Sequence, residues 1–157
     1  MKKINKFFLI FNFIILISLF LQTSPIANEN KKYFSLKNNK VNLRQGPSFE
    51  YPIKLIYQKK FLPVKVMDKS DNWVKIIDYF NNSGWIHASQ LSKRKSAICI
   101  KNNIILYKKN TIYSKPTAKL EMGRLVLVKK CKDKWCKITT GDFDGWVLKN
   151  SLWGKVK

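Results

Sequence analysis

Two segments of the chain carry the same spaced residues, and this duplication constrains the fold more than any other feature. The shared residues recur at offsets of 62, 61 and 61 positions: Trp73, Gly84-Trp85 and Leu91 correspond to Trp135, Gly145-Trp146 and Leu152. A set of special residues repeated at a nearly fixed period indicates an internal duplication. Because two copies are too few for a solenoid, each copy is expected to close its own small core.

Short alternating runs separated by polar turns indicate β-structure within each copy. The run Val41-Asn42-Leu43-Arg44 alternates apolar with polar residues, as a half-buried strand does. The next four residues, Gln45-Gly46-Pro47-Ser48, have the composition of a turn. Further strands are expected at 54–57, at 62–66, and after Trp73 and Trp85. Five short strands with tight loops and no helical period predict a small barrel.

The first 27 residues have the pattern of a secretory signal. Lysines near the N-terminus precede an apolar run from Phe7 to Leu21, and a small-residue region ends at Ala27. This order predicts that residues 1–27 are a signal peptide and that the protein is periplasmic. The alternative is an uncleaved inner-membrane anchor, although the run is shorter than the roughly 20 residues that a spanning helix needs.

Export to an oxidising compartment favours disulfide bonds. Cys131 and Cys136 end and begin two predicted strands around a polar turn. Directly opposed residues of such a hairpin lie within disulfide range, so we predict a Cys131–Cys136 bond. Cys99, in Ile98-Cys99-Ile100, is expected to be a buried, inert apolar residue. His87 is the single histidine, so no metal site and no cofactor are expected.

These spaced elements together resemble the bacterial SH3-like (SH3b) domain. The residues that carry the resemblance are Val41-Asn42-Leu43-Arg44-Gln45-Gly46-Pro47, Trp73-Val74-Lys75-Ile76, Gly84-Trp85-Ile86 and Leu91, with Gly145-Trp146-Val147 and Leu152-Trp153-Gly154 in the second copy. The whole pattern is similar to small exported proteobacterial proteins with two tandem SH3b copies. The resemblance implies an all-β fold of two small SH3-like β-barrels in the cell envelope, at residues 34–92 and 98–154.

The second copy departs from the first-strand motif. We interpret Ile112-Tyr113-Ser114-Lys115-Pro116 as the counterpart of the segment from Asn42 to Pro47, without its glycine. On this alignment, the interval from proline to tryptophan falls from 26 residues (Pro47 to Trp73) to 19 (Pro116 to Trp135). We therefore expect a shorter loop in the second copy. Since SH3-like barrels usually line their groove with this loop, the resemblance implies that the first copy is the binding copy.

The candidate ligand-binding residues lie mainly near this loop, because loop residues carry function more often than core residues. The set is Arg44, Phe49, Tyr51, Tyr57, Trp73 and Trp135. Trp73 and Trp135 are expected to be partly exposed at strand starts, and Arg44 has the alternative role of a solvated strand residue. Two Gly-Trp pairs are expected to be structural and to close the barrel ends: Gly84-Trp85 and Gly145-Trp146. His87 is expected to cap the turn that follows the first pair.

The chain carries 31 Lys and Arg against 9 Asp and Glu, a net charge of +22. Such a charge attracts polyanions, although it can also reflect a compositional bias of the source. The segment 129–137 is a dense basic hairpin tip. The acidic residues are scattered singly, apart from the pair Asp142 and Asp144, which we interpret as turn-forming. Because no nucleophile–base set is apparent, catalysis is not expected.

We therefore expect a non-catalytic envelope module that contacts peptidoglycan, with a periplasmic protein–protein adaptor as the alternative. An exported chain is not expected to bind nucleic acid.

Overall fold

The computed structural model describes residues 32–156, and the predicted signal peptide lies outside the described residues. Within this range the chain is all-β and forms two seven-stranded antiparallel sheets, which confirms the expected fold class. None of the residues from 32 to 156 belongs to a helix that is long and apolar enough to span a bilayer.

The two repeats have the same succession of strands. The first contains β1 (Tyr33–Leu36), β2 (Val41–Arg44), β3 (Ile53–Tyr57), β4 (Pro63–Ser70), β5 (Trp73–Ile77), β6 (Ser83–His87) and β7 (Leu91–Ser92). The second contains β8 (Ser96–Cys99), β9 (Ile104–Tyr107), β10 (Pro116–Leu120), β11 (Leu125–Lys132), β12 (Trp135–Thr140), β13 (Phe143–Leu148) and β14 (Leu152–Gly154). Their orders, β3-β2-β6-β5-β4-β1-β7 and β10-β9-β13-β12-β11-β8-β14, are equivalent. The sequence duplication is therefore a duplication of the fold.

Each repeat closes its own apolar core, because alternate strand residues point inward. Val41 and Leu43 of β2 are buried, whereas Asn42 and Arg44 between and after them are not. Burying a side chain such as Leu43 contributes about 1.5–3 kcal/mol. Cys99 is fully buried in the second core and pairs with Leu152, as Leu36 pairs with Leu91 in the first core. This position agrees with the expected role of Cys99 as an apolar core residue.

The structure corrects the alignment of the second repeat. The counterpart of β2 is β9 (Ile104–Tyr107), because Tyr107 pairs with Trp146 as Arg44 pairs with Trp85. Pro116 begins β10 and therefore corresponds to Ile53, the first residue of β3. The loops that follow, 45–52 and 108–115, are equal in length, so the expected shortening of the second loop is wrong. The two prolines were matched in place of the two strands, because Ile104-Ile105-Leu106-Tyr107 of β9 is apolar throughout and lacks the alternation of Val41-Asn42-Leu43-Arg44 in β2.

The two Gly-Trp glycines lie where β6 pairs with β2 and where β13 pairs with β9. A Cβ on Gly84 would lie 2.6 Å from the Arg44 carbonyl oxygen, and one on Gly145 would lie 2.8 Å from that of Tyr107. Backbone atoms cannot move away from such a contact without shifting the strand. The structural role expected for these glycines is thus explained by the close approach of β2 to β6 and of β9 to β13.

The β11–β12 hairpin carries the predicted disulfide. Cys131 and Cys136 are directly opposed in the register, with Cα atoms 4.0 Å apart.

In the next hairpin, Asp142 lies in the turn, but Asp144 lies within β13, which corrects its interpretation as a turn former. The Asp144 carboxylate accepts hydrogen bonds from Lys129 Nζ and Thr139 Oγ1 and so ties β13 to this face of the sheet.

The two repeats contact each other through the last strand. Residues 93–95 alone separate β7 from β8. The Trp153 ring lies 5.3 Å from the ring centre of Tyr33 and 5.8 Å from that of Tyr79. Lys155 Nζ donates to the Lys93 carbonyl oxygen at 3.1 Å. The strand β14 therefore completes the second barrel with one face and packs on the first repeat with Trp153.

Candidate functional site

A groove with a volume of about 360 Å³ opens on the first repeat. It lies between strand β2, the loop 45–52 and the short 3-10 turn Ala88–Gln90 that follows β6. The lining residues are Lys40, Val41, Asn42, Arg44, Phe49, Trp73, His87, Ser89 and Gln90. Three of the six candidate ligand-binding residues, Arg44, Phe49 and Trp73, are thus brought together.

The loop 45–52 forms one wall of the groove, and Arg44 holds it in place. The guanidinium donates from Nη1 to the carbonyl oxygens of Phe49, at 2.9 Å, and Tyr51, at 2.7 Å. The Tyr51 ring covers Gly46, since a Cβ at Gly46 would lie 2.6 Å from several ring carbons. Tyr51 therefore packs against the loop at Gly46 and does not line the groove.

An aromatic cluster lines the groove. The Phe49 ring meets the Trp73 ring edge-on at 4.9 Å and stacks on the His87 ring at 5.6 Å. These two rings cover Trp73, which is 8% exposed, so its expected partial exposure is wrong. Phe49 itself remains 65% exposed. The exposed aromatic surface of this site therefore belongs to Phe49, with Trp73 supporting it.

His87 ends β6 and caps the 3-10 turn, as expected. Its Nδ1 accepts a hydrogen bond from the Ser89 backbone N–H and lies 2.8 Å from Ser89 Oγ. Because Nδ1 accepts, the ring proton of the neutral imidazole resides on Nε2. His87 was expected only to cap this turn, and it also lines the groove. The signal that indicates it is its register, since His87 pairs directly with Trp73.

Tyr57 does not belong to the groove, which corrects its selection as a candidate. Its side chain is 6% exposed in the core of the first repeat, and its hydroxyl donates to Asp78 Oδ2 at 3.1 Å. Burial and the neighbouring Asp78 carboxylate raise the pKa of Tyr57 far above its usual range. Asp78 also accepts from the backbone N–H groups of Phe80 and Asn82. The pair therefore organises the loop between β5 and β6.

The second repeat has a different arrangement at the equivalent place. Tyr107 occupies the position of Arg44, and its ring meets Trp135 edge-on at 5.7 Å. Trp135 is 5% exposed, so its expected exposure is also wrong. Leu148 pairs with Trp135 where His87 pairs with Trp73. The tyrosine ring thus covers a tryptophan that phenylalanine and histidine cover in the first repeat.

Trp85 and Trp146 do not close the barrel ends. Each is half-buried and alternates with buried core residues, which places it on the outer face of its sheet. Trp146 lies beside the basic β11–β12 hairpin, with Lys130 Nζ 5.9 Å from its ring centre. Long lysine side chains cover part of such rings while their charged ends stay in water. The two tryptophans therefore shield the outer sheet face.

Within residues 32–156, no group of three or more His, Cys, Asp or Glu side chains could hold a metal ion. The groove instead combines an exposed aromatic wall with cationic and polar side chains at its rim.

The fold of each repeat is that of an SH3-like β-barrel. The family model of the bacterial SH3 domain matches residues 37–93 and 101–154. The chain therefore belongs to the bacterial SH3 domain family, as a tandem protein. No curated protein matches the chain.

Among solved structures, the chain is similar to two proteins of Trichomonas vaginalis, NlpC2 and NlpC1, and to an NlpC/P60 family protein of Bacillus cereus. The identity is 12% in all three comparisons, and the TM-scores are 0.37, 0.37 and 0.35. The matches cover 82%, 82% and 78% of this chain, and 50%, 48% and 56% of the other chains. The chain thus spans about half the length of these proteins, and similarities this low carry no conclusion about activity.

Proposed function

We propose that this protein is a non-catalytic binding module of the periplasm that contacts peptidoglycan through the groove of its first repeat. The observation that carries the proposal is the exposed face of Phe49, held over Trp73 and His87 at the mouth of an open groove. A large exposed aromatic side chain on a fixed support is a typical contact for peptide planes and sugar rings.

The positive charge of the chain supports the proposal in a second way. A net charge of +22 attracts an anionic polymer from a distance and raises its local concentration at the surface. The basic hairpin tip, residues 129–137, extends this attraction over the second repeat. Salt screens the interaction, with a Debye length of about 8 Å at physiological ionic strength. The groove would then supply the part of the affinity that salt does not remove.

Co-sedimentation with purified peptidoglycan sacculi tests the proposal. The protein used is residues 28–157, which include the compact unit Lys31–Lys157. We expect saturable binding at physiological salt and a loss of about tenfold in affinity for Phe49→Ala, since a well-placed aromatic contact contributes on the order of 1–2 kcal/mol.

The matched control is Tyr113→Ala. Tyr113 is 92% exposed in the equivalent loop of the second repeat, so its removal deletes a similar ring without touching the groove. Equal binding by the two variants, or binding that disappears at physiological salt, would contradict a groove-based contact.

The alternative is a periplasmic adaptor that docks a protein partner. The observation that favours it is strand β3, which lies at the edge of the first sheet and exposes Ile53 and Ile56. An extended peptide can add to such an edge through main-chain hydrogen bonds. Replacing Ile56 with Lys would abolish a stoichiometric complex formed in this way and leave sacculus binding unchanged.

A further inference from the structure

The groove of the first repeat has a charge character that points to the chemistry of its ligand. Its rim contains the cations Lys40 and Arg44, and none of the described residues that line it is acidic. We propose that the groove binds a carboxylate group that adjoins a small apolar group, such as the end of a short peptide. This inference rests on the proposed function and specifies what part of the wall polymer the groove holds.

Arg44 keeps an uncompensated charge at the site. Its Nη1 donates to two backbone carbonyl oxygens, which are neutral acceptors and leave the full positive charge in place. Lys129 and Asp144, which form an ion pair, lie on the second repeat. A ligand carboxylate would supply the counter-charge that the protein does not. Hydrogen bonds to a charged group are about twice as strong as neutral ones.

The polar groups around the cations are suited to an acceptor-rich ligand. The tautomer of His87 leaves Nε2–H as the ring donor, because Nδ1 accepts from Ser89. Asn42 and Gln90, which also line the groove, each carry an NH₂ group. A carboxylate accepts several hydrogen bonds and donates none, so it matches this set of donors better than an amine or a hydroxyl-rich sugar does.

The aromatic wall argues against a cationic ligand and for an apolar neighbour of the carboxylate. A free amine would be attracted by the Phe49 ring, but the Arg44 guanidinium already lies 5.7 Å from that ring centre. A second cation there would meet like charge. A small apolar group can pack on the exposed ring without this penalty. The groove volume of about 360 Å³ suits a ligand of one or two small residues.

The second repeat shows that these charges are particular to the groove, although the chain as a whole is rich in lysine. At the positions of Lys40, Arg44 and His87 it has Asn103, Tyr107 and Leu148. The same fold in the same basic chain therefore lacks both cations and the histidine at this place. Overall composition does not account for the difference, whereas a carboxylate ligand in the first repeat does.

The test compares three small probes by titration of the ¹⁵N-labelled protein, residues 28–157. The probes are N-acetyl-D-alanyl-D-alanine, its C-terminal amide, and N-acetylglutamic acid α-amide. We expect shifts of the backbone amide signals of His87 and Ser89, with one of the two carboxylate probes binding at least tenfold more tightly than the dipeptide amide. Tightest binding of N-acetyl-D-alanyl-D-alanine would indicate that the groove holds a terminal carboxylate. Tightest binding of N-acetylglutamic acid α-amide would indicate a side-chain carboxylate.

Lys40→Gln is the diagnostic variant, because Lys40 is exposed on the rim and its loss leaves the loop 45–52 intact. Lys40→Gln should lower the affinity for the carboxylate probe about fivefold and leave the affinity for the dipeptide amide unchanged. Lys101→Gln, which removes an equal charge from an exposed site before β9, should change neither. If neither carboxylate probe binds more tightly than the amide, the carboxylate proposal is wrong.

This failure is distinguishable from failure of the proposed function. Sacculus binding that depends on Phe49 would persist if only the carboxylate assignment were wrong, and it would be absent if the groove did not contact the wall.

Discussion

Arg44 contacts Phe49 twice: Nη1 donates to the Phe49 carbonyl oxygen at 2.9 Å, and the guanidinium lies 5.7 Å from the centre of the Phe49 ring. One side chain on a strand thus fixes both the backbone and the ring of the exposed loop residue. Arg44→Lys keeps the charge but loses the planar fork. We expect amide hydrogen exchange to accelerate in residues 46–52 and global stability to fall by about 1 kcal/mol. Unchanged exchange in this loop would show that Arg44 does not hold it.

The Gly-Trp glycines should not tolerate a Cβ. Gly84→Ala places that atom against the Arg44 carbonyl oxygen and the Leu43 side chain. We expect a loss of roughly 2–3 kcal/mol, because overpacking against backbone forces the strand to move. Gly145→Ala should behave alike in the second repeat. Urea denaturation measures the loss for both variants. Gly141→Ala is the comparison without a clash: its Cβ would meet nothing within 4 Å, so any loss there comes from the positive φ of Gly141.

The disulfide should contribute modestly to stability. The loop that Cys131 and Cys136 close is short, with a sequence separation of 5, so the entropic contribution is about 2 kcal/mol. The double variant Cys131→Ala/Cys136→Ala should lose this amount in urea denaturation, and the wild type with reductant should lose a similar amount. If reductant left the wild-type midpoint unchanged, the bond would not stabilise the second repeat.

Cys99 should make stability fall at alkaline pH. Burial raises the pKa of its thiol to about 11, with the Arg124 charge acting in the opposite direction, whereas an exposed thiol has a pKa of about 8.5. The folded state therefore keeps a proton that the unfolded state releases. The free energy of unfolding is therefore unaffected by this thiol below about pH 8.5. It falls as pH rises from there towards 11, because only the unfolded state ionises. Cys99→Ala should flatten this part of the stability–pH curve.

The same burial predicts slow chemistry at Cys99. The thiolate is the reactive form, and the folded protein holds little of it at neutral pH. Alkylation of Cys99 in the native protein at pH 8 should therefore be limited by unfolding, and fast alkylation would contradict its burial.

The sequence by itself determined the duplication, the strand character and the disulfide partners. The Gly-Trp pairs recur because each repeat needs a glycine where the paired strand approaches closely, at the Arg44 and Tyr107 carbonyl oxygens. The alternation in Val41–Arg44 likewise follows directly from a sheet with one buried face. Cys131 and Cys136 could be paired because a short hairpin leaves few registers.

Tertiary structure decided the composition of the site. Whether Trp73 is exposed depends on Phe49 and His87, which are distant in sequence and meet only when the loop 45–52 folds over β6. The second repeat had no glycine–proline signal to align, so its register could be found only from the pairing of Tyr107 with Trp146. A groove is a relation among separate strands and loops, and no single stretch of sequence encodes which of its residues remain uncovered.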